Sequence, residues 1–180
     1  MAKNPLHSSK SVEWYTPSWV VQLARDVMGG PIDLDPASCS AANRYVEASR
    51  FFTQEESGLM QVWKCDRLWL NPPYGKGENR VQRWVWKALN EFQVRNFHQG
   101  CLLVNAVPDR TWFQPLWQFP VCFFRDRIRF VGAGNSPTHG NALFGLGVDA
   151  LRFEAVMSKH GHVCLPRTFA PPHSRDQVGR

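Results

Sequence analysis

Arg67-Leu68-Trp69-Leu70-Asn71-Pro72-Pro73-Tyr74-Gly75 is an apolar run that stops at a polar, proline-rich turn, with a helix-like segment beyond it. A short apolar run bounded by turn residues reads as a buried strand. Strand, turn and helix in succession form the repeating unit of an α/β fold, in which ligands bind beyond the carboxyl ends of the strands. The two prolines fix φ and restrict the residues before them, so this turn is stiff before anything binds. The Asn71 side-chain oxygen and the proline carbonyls are acceptors with no competing proline N–H, an arrangement suited to an NH2 group that donates two hydrogen bonds. Tyr74 adds a flat face on which a planar base or amide can stack. A proline-rich turn after an edge strand would produce the same string, so the rest of the chain has to decide.

Upstream, Thr16 is the expected N-cap of a first helix and Pro17 its first helical residue. Val20, Val21, Ala24, Val27 and Met28 follow at helical spacing, and Gly29-Gly30 stops the run. Pro31-Ile32-Asp33-Leu34-Asp35-Pro36-Ala37-Ser38 reads as a very short strand ending in acidic and small residues. A carboxylate there can bind hydroxyls or a cationic amine of a nucleoside-like ligand, although Asp35-Pro36 is also a common turn starter. Ser40 to Ala48 fits a short helix, and Phe51-Phe52 reads as apolar packing. No G-x-G-x-x-G follows the first strand, so a dinucleotide cradle has no support.

Downstream, Val81, Trp84, Val85, Ala88, Leu89 and Phe92 lie on one face of a helix predicted from Glu78 to Phe92, with Arg80, Arg83, Lys87 and Arg95 mostly off that face. Cys101–Ala106 and Val121–Phe124 read as strands buried on both sides. Asp109 is the expected cap of a short helix carrying Trp112 and Phe113, both read as core. Arg125-Asp126-Arg127-Ile128-Arg129-Phe130 alternates as a strand would, with three arginines on one face that require an anion or a carboxylate opposite. Residues 132–140 form a polar, glycine-rich loop. A strand from Asn141 to Val148, a helix from Ala150 to Lys159 and a last strand near His162–Leu165 complete the pattern.

With 180 residues, the chain fits one domain. We expect a flexible arm over 1–12, a single domain over 13–166 and a flexible tail over 167–180. Residues 1–75 hold seven Lys/Arg against eight Asp/Glu, a net −1, whereas residues 76–180 hold fourteen against seven, a net +7, so the positive charge of this +6 chain lies after the turn. A polyanion is therefore expected on that side. Five scattered cysteines, an odd count without a C-x-x-C pair, argue against a disulfide framework and a zinc site, and they suit a reducing cytoplasm. No apolar stretch approaches the length of a membrane span.

An Asn-Pro-Pro-Tyr tetrad after a hydrophobic strand resembles the catalytic motif of S-adenosylmethionine-dependent amino methyltransferases. Trp14-Tyr15-Thr16-Pro17, the segment Ile32 to Ser38, Asn43, Gly58-Leu59 with Trp63, the tetrad, Trp112-Phe113 and Arg127-Ile128-Arg129-Phe130 occur in the order found in the compact, phage-type Dam family of DNA N6-adenine methyltransferases. The resemblance covers roughly residues 13–148. It implies a compact, Rossmann-like methyltransferase fold: a mixed, mostly parallel sheet flanked by helices. It implies cofactor contacts at Tyr15, Thr16, Pro17, Asp33, Asp35, Pro36, Ala37 and Ser38, and a catalytic tetrad of Asn71, Pro72, Pro73 and Tyr74. It also implies a flipped adenine in double-stranded DNA as the acceptor. No metal is required, and no membrane and no obligatory protein partner is indicated.

Lys76, Arg80, Arg83, Arg127 and Arg129 are the candidate phosphate contacts, and Lys76–Arg80 and Gly132–Gly140 are the short segments available to read sequence. The chain departs from the family pattern in lacking a glycine-rich first loop and in carrying Ser57 where an acid is expected. Enzymes that methylate N4 of cytosine or a protein glutamine amide share the tetrad, because all three acceptors are planar NH2 groups. A non-catalytic nucleic-acid-binding module is the alternative of another class. The basic half, the Dam-like order and Asn rather than Ser at the first position favour adenine in DNA.

Overall fold

The computed structural model describes residues 15–74, 80–132 and 139–166. Its frame is one seven-stranded sheet, built from β1 (Leu34–Asp35), β2 (Arg50–Phe51), β3 (Cys65–Leu70), β4 (Phe97–Asn105), β5 (Val121–Phe124), β6 (Asn141–Leu146) and β7 (Gly161–Cys164) in the order β2-β1-β3-β4-β6-β5-β7. Among the described residues, four α-helices accompany it: α1 (Ser18–Met28), α2 (Ser40–Val46), α3 (Val81–Gln93) and α4 (Ala150–Met157).

The period-two rule divides the strand residues between two cores. Leu68, Leu70, Leu102, Val104, Ala142 and Phe144 face α3 together with Val81, Trp84, Val85 and Ala88. Trp69, Cys101, Leu103 and Leu143 face the opposite layer, which α1 and α4 supply through Val20, Val21, Ala24, Val27, Phe153 and Met157. Leu68, Trp69 and Leu70 are each fully buried, and burial of a side chain of this size stabilises by roughly 1.5–3 kcal/mol. The continuous apolar run before the turn thus follows from helices covering both faces of the sheet.

Pairs β1–β2, β1–β3 and β3–β4 are parallel, whereas β4–β6, β5–β6 and β5–β7 are antiparallel. The sheet is therefore half parallel, which corrects the expectation of a mostly parallel one. The physical reason lies in the connections. The α2 and α3 crossovers return the chain in the same direction, while the chain between β4 and β7 inserts β6 between β4 and β5 and reverses each pairing.

Three local expectations also change, the first being that the helical turn expected after Asp109 spans Gln114–Gln118, with Phe113 and not Asp109 at its N-cap. Helix α1 begins at Ser18 with Pro17 as its extended N-cap residue and no side-chain cap, so Thr16 does not cap it. The segment 125–130 joins no ladder, although Ile128 and Phe130 are buried while Arg125, Arg127 and Arg129 are exposed. Burial of Ile128 and Phe130 accompanies that alternation without a strand ladder. Gly29 ends α1 in the left-handed region, φ 70°, as the Gly29-Gly30 stop predicts.

Candidate active site

Strand direction brings the candidate residues together. Strands β1, β3, β4 and β5 point the same way, so the chain leaves all four at one edge of the sheet, where β6 and β7 begin. From β1 the chain turns toward β2, and from β3 it turns the other way toward β4. Such a reversal opens a crevice between adjacent strand ends, the usual ligand site of an open α/β sheet. Asp35–Ser38 flank it on one side and Asn71–Tyr74 on the other.

On the tetrad side, Asn71 Nδ2 donates to Thr16 Oγ1 at 3.0 Å. Asn71 Oδ1 is buried and has no partner among the described residues. A buried carboxamide oxygen without a donor is uncommon and calls for an explanation. The neighbouring Tyr74 hydroxyl accepts from the Asn105 backbone N–H at 2.7 Å, at the end of β4. The tyrosine is 47% exposed as a whole, with its hydroxyl held against the end of β4. Burial pushes the phenol up from its ordinary range, against the opposing effect of the Asn105 bond. The ring is thus tethered at its tip and open along its side.

The opposite wall carries Asp35, 3% exposed. Burial raises its pKa to about 7, although the Ala37 N–H and the nearby Ser38 hydroxyl both favour the charged form. Asp35 Oδ1 accepts from Ala37 N at 3.1 Å, while Ser38 Oγ is buried without a partner in hydrogen-bond geometry. Gly58 packs so closely that a Cβ there would lie 1.9 Å from the Pro36 carbonyl oxygen. The Trp63 indole in turn donates to the Gly58 carbonyl at 2.8 Å. These contacts explain why Gly58 and Trp63 accompany the Asp35–Ser38 segment in the sequence pattern.

Asp33 is placed differently from its neighbours. Its Oδ2 accepts from the backbone N–H groups of Asp66 and Arg67 at 3.1 and 2.7 Å, which fastens β1 to the beginning of β3. That carboxylate is occupied by backbone donors, away from the carboxyl edge. Tyr15 lies at the edge through its two backbone bonds with Val131, and Pro17 is at the start of α1. Arg80 and Arg83 are exposed at the start of α3, and Arg127 and Arg129 are exposed after β5. Lys76 and most of both proposed reading segments, residues 75–79 and 133–138, lie outside the described residues.

Sequence reasoning missed Asn105 and Asn141. Asn141 opens β6 opposite Asn105, is 2% exposed, and places its Nδ2 3.5 Å from Asn105 Oδ1. Its own Oδ1 is buried and unpartnered. Only strand pairing joins these two asparagines to Tyr74; a polar residue at each end of an apolar strand was the available signal. Among the described residues, four buried side-chain polar atoms lack partners, and three of them, on Ser38, Asn71 and Asn141, line this edge. No group of three or more His, Cys, Asp or Glu side chains suited to a metal occurs among the described residues. No helix among them is long and apolar enough to cross a membrane.

The chain is 27% identical over 113 residues to the DNA N-6-adenine-methyltransferase of Haemophilus phage HP1 (strain HP1c1), a match covering 63% of this chain and 61% of that protein. It is 34% identical over 101 residues to the DNA N-6-adenine-methyltransferase of Escherichia phage T1, covering 56% of this chain and 38% of that protein. The chain thus spans less than two thirds of the length of either relative. The family model described as DNA N-6-adenine-methyltransferase (Dam) matches residues 4–144, a stretch that includes the crevice and both of its walls, and the chain belongs to this family.

Proposed function

We propose that this protein transfers a methyl group from S-adenosylmethionine to N6 of an adenine flipped out of double-stranded DNA, using a Rossmann-like methyltransferase domain that spans residues 13–166. The observation that carries the reading is the buried Asn71 Oδ1, an acceptor for which no donor is supplied among the described residues. An exocyclic amino group supplies one. A second N–H of the same group is left for the Pro72 carbonyl, and the two bonds hold the nitrogen lone pair toward the incoming methyl.

The residues of the opposite wall suit a nucleoside-like methyl donor. Asp35 and Ser38 are buried polar groups at the end of β1 with hydrogen-bonding capacity to spare. Bound there, S-adenosylmethionine supplies a methyl group already activated by its sulfonium. Pro36 and Ala37 of this wall, with Tyr15, Thr16 and Pro17 from the side of Asn71, are the further proposed cofactor contacts. Asp33 supports the wall by fastening β1 to β3.

A stacked, paired adenine cannot reach Asn71, so the base has to leave the duplex at a cost of a few kcal/mol. The exposed side of the Tyr74 ring is the stacking platform that offsets part of this cost. Arg80, Arg83, Arg127 and Arg129, with Lys76, are the proposed phosphate contacts. The test is to incubate the protein with methyl-labelled S-adenosylmethionine and unmodified DNA, then digest to nucleosides. Label is expected in N6-methyladenine and absent with Asn71→Ala. Label in N4-methylcytosine, or in protein alone, rejects the reading.

A further inference from the structure

We propose that Thr16 is a positioning residue for Asn71, pinning the carboxamide so that its oxygen, and not its NH2, is presented to the acceptor amine. The inference rests on the reading of Asn71 as the group that receives the target N–H. It adds a role for Thr16 toward a residue 55 positions away in the chain.

A carboxamide has one accepting and one donating end of nearly equal size. A half-turn about its terminal bond would set NH2 against NH2 and turn an attractive site into a repelling one. Two observations place the choice at Thr16. Its hydroxyl does not cap α1, the role expected of a threonine before Pro17, and is therefore available elsewhere. It lies 3.0 Å from Asn71 Nδ2, leaving Oδ1 buried without a partner. A hydroxyl can accept as well as donate, so Thr16 absorbs the NH2 end and leaves the oxygen for the substrate. A methyl group in its place would orphan the NH2 end, and the carboxamide would gain by turning that end toward the open crevice.

Thr16 itself has little freedom. It is 4% exposed. On one side, Tyr15 N donates to the Val131 carbonyl at 3.0 Å and Val131 N to the Tyr15 carbonyl at 2.8 Å; on the other, Pro17 begins α1. The hydroxyl is therefore delivered to Asn71 by backbone that is fixed at both ends, which is what precise orientation of a reacting group requires.

The experiment compares the parent protein with Thr16→Val and Thr16→Ser. Label transfer by the parent tests the activity itself, so a failure of that reading is seen before any variant is made. Thr16→Val should lower kcat by about tenfold to a hundredfold, with the KM for DNA close to that of the parent and any rise in the cofactor KM smaller than the fall in kcat. Thr16→Ser, which keeps the hydroxyl, should recover most of the loss. Independently of turnover, the Asn71 side-chain NH2 protons, assigned by their disappearance in Asn71→Ala, should exchange slowly in the parent and in Thr16→Ser, and faster in Thr16→Val. Undiminished kcat in a folded Thr16→Val, or a loss carried by cofactor KM alone, overturns the proposal. If Thr16→Val does not fold, fast exchange of the Asn71 NH2 protons in the parent overturns it and slow exchange supports it.

Discussion

The Tyr74 hydroxyl accepts a 2.7 Å hydrogen bond from the Asn105 backbone N–H, so the tip of the residue after the Asn-Pro-Pro turn is tied to the end of the neighbouring strand. The tether sets the tilt of the ring, and the exposed side of the ring is the part that can stack. Tyr74→Phe removes the tether and keeps the face, at a cost of about 0.5–1.5 kcal/mol in stability. Tyr74→Ala removes both, and loss of one base–aromatic stack corresponds to about 1–3 kcal/mol in binding a flipped base. With a fluorescent adenine analogue at the target position, Tyr74→Phe should retain most of the base-flipping signal and Tyr74→Ala should lose most of it. Equal damage by both would show that the ring face is not the stacking element.

Asp35 makes stability depend on pH in an unusual direction for a carboxylate. Folded, it holds its proton up to about pH 7, whereas the unfolded chain releases it near the ordinary value. The folded state therefore binds more protons over that interval, and stability falls as pH rises from about 4 to about 7 before levelling off. Asp35→Asn should abolish this slope, melting close to the parent at low pH and above it at pH 8. A melting difference that does not vary with pH would mean that Asp35 is ionised throughout.

Glu91 behaves in the opposite sense. It is 3% exposed, and burial alone would raise its pKa. The side-chain bonds from Lys87 and Asn96, together with the Trp63 N–H, outweigh that effect and hold it below the carboxylate range. Its contribution is fully present above the unfolded value of about 4.3 and is lost as pH falls through the lower folded value. Glu91→Gln should lower the neutral-pH melting temperature, with the gap from the parent closing under acid. A gap that widens as pH falls would contradict the assignment.

Gly58 leaves no room for a side chain, because its Cβ would meet the Pro36 carbonyl oxygen at 1.9 Å. Backbone on both sides of the contact has to shift, and overpacking of this kind costs about 1–3 kcal/mol. Gly58→Ala should lower thermal stability and, by displacing the Asp35–Ser38 wall, weaken cofactor affinity measured by calorimetry. Parent-like cofactor affinity would detach that wall from cofactor binding.

Much of the scaffold is legible from local pattern. The apolar runs of β3, β4 and β5 and the helical spacing of α1, α3 and α4 follow from residues buried on one or both faces, and burial is written in side-chain type. Asn71 and its prolines are legible for the same local reason, since a stiff turn and its acceptors are contiguous. Strand order is not local. The antiparallel insertion of β6 between β4 and β5 leaves each strand looking much as it would in a parallel sheet, so the sequence suggested too much parallel pairing.

Side-chain partnership divides in the same way. Thr16, read by its neighbours, is a helix cap; Asp33 and Asp35, two residues apart, read as similar carboxylates. The fold separates them. Thr16 meets Asn71 across the sheet edge, Asp33 is consumed by the backbone of β3, and Asp35 is buried at the crevice. Sequence alone determined which atoms could accept, donate or stack, because that is covalent chemistry. Tertiary structure alone decided which of them remain unsatisfied, because a hydrogen bond depends on two groups meeting, and here they meet only when the strands align.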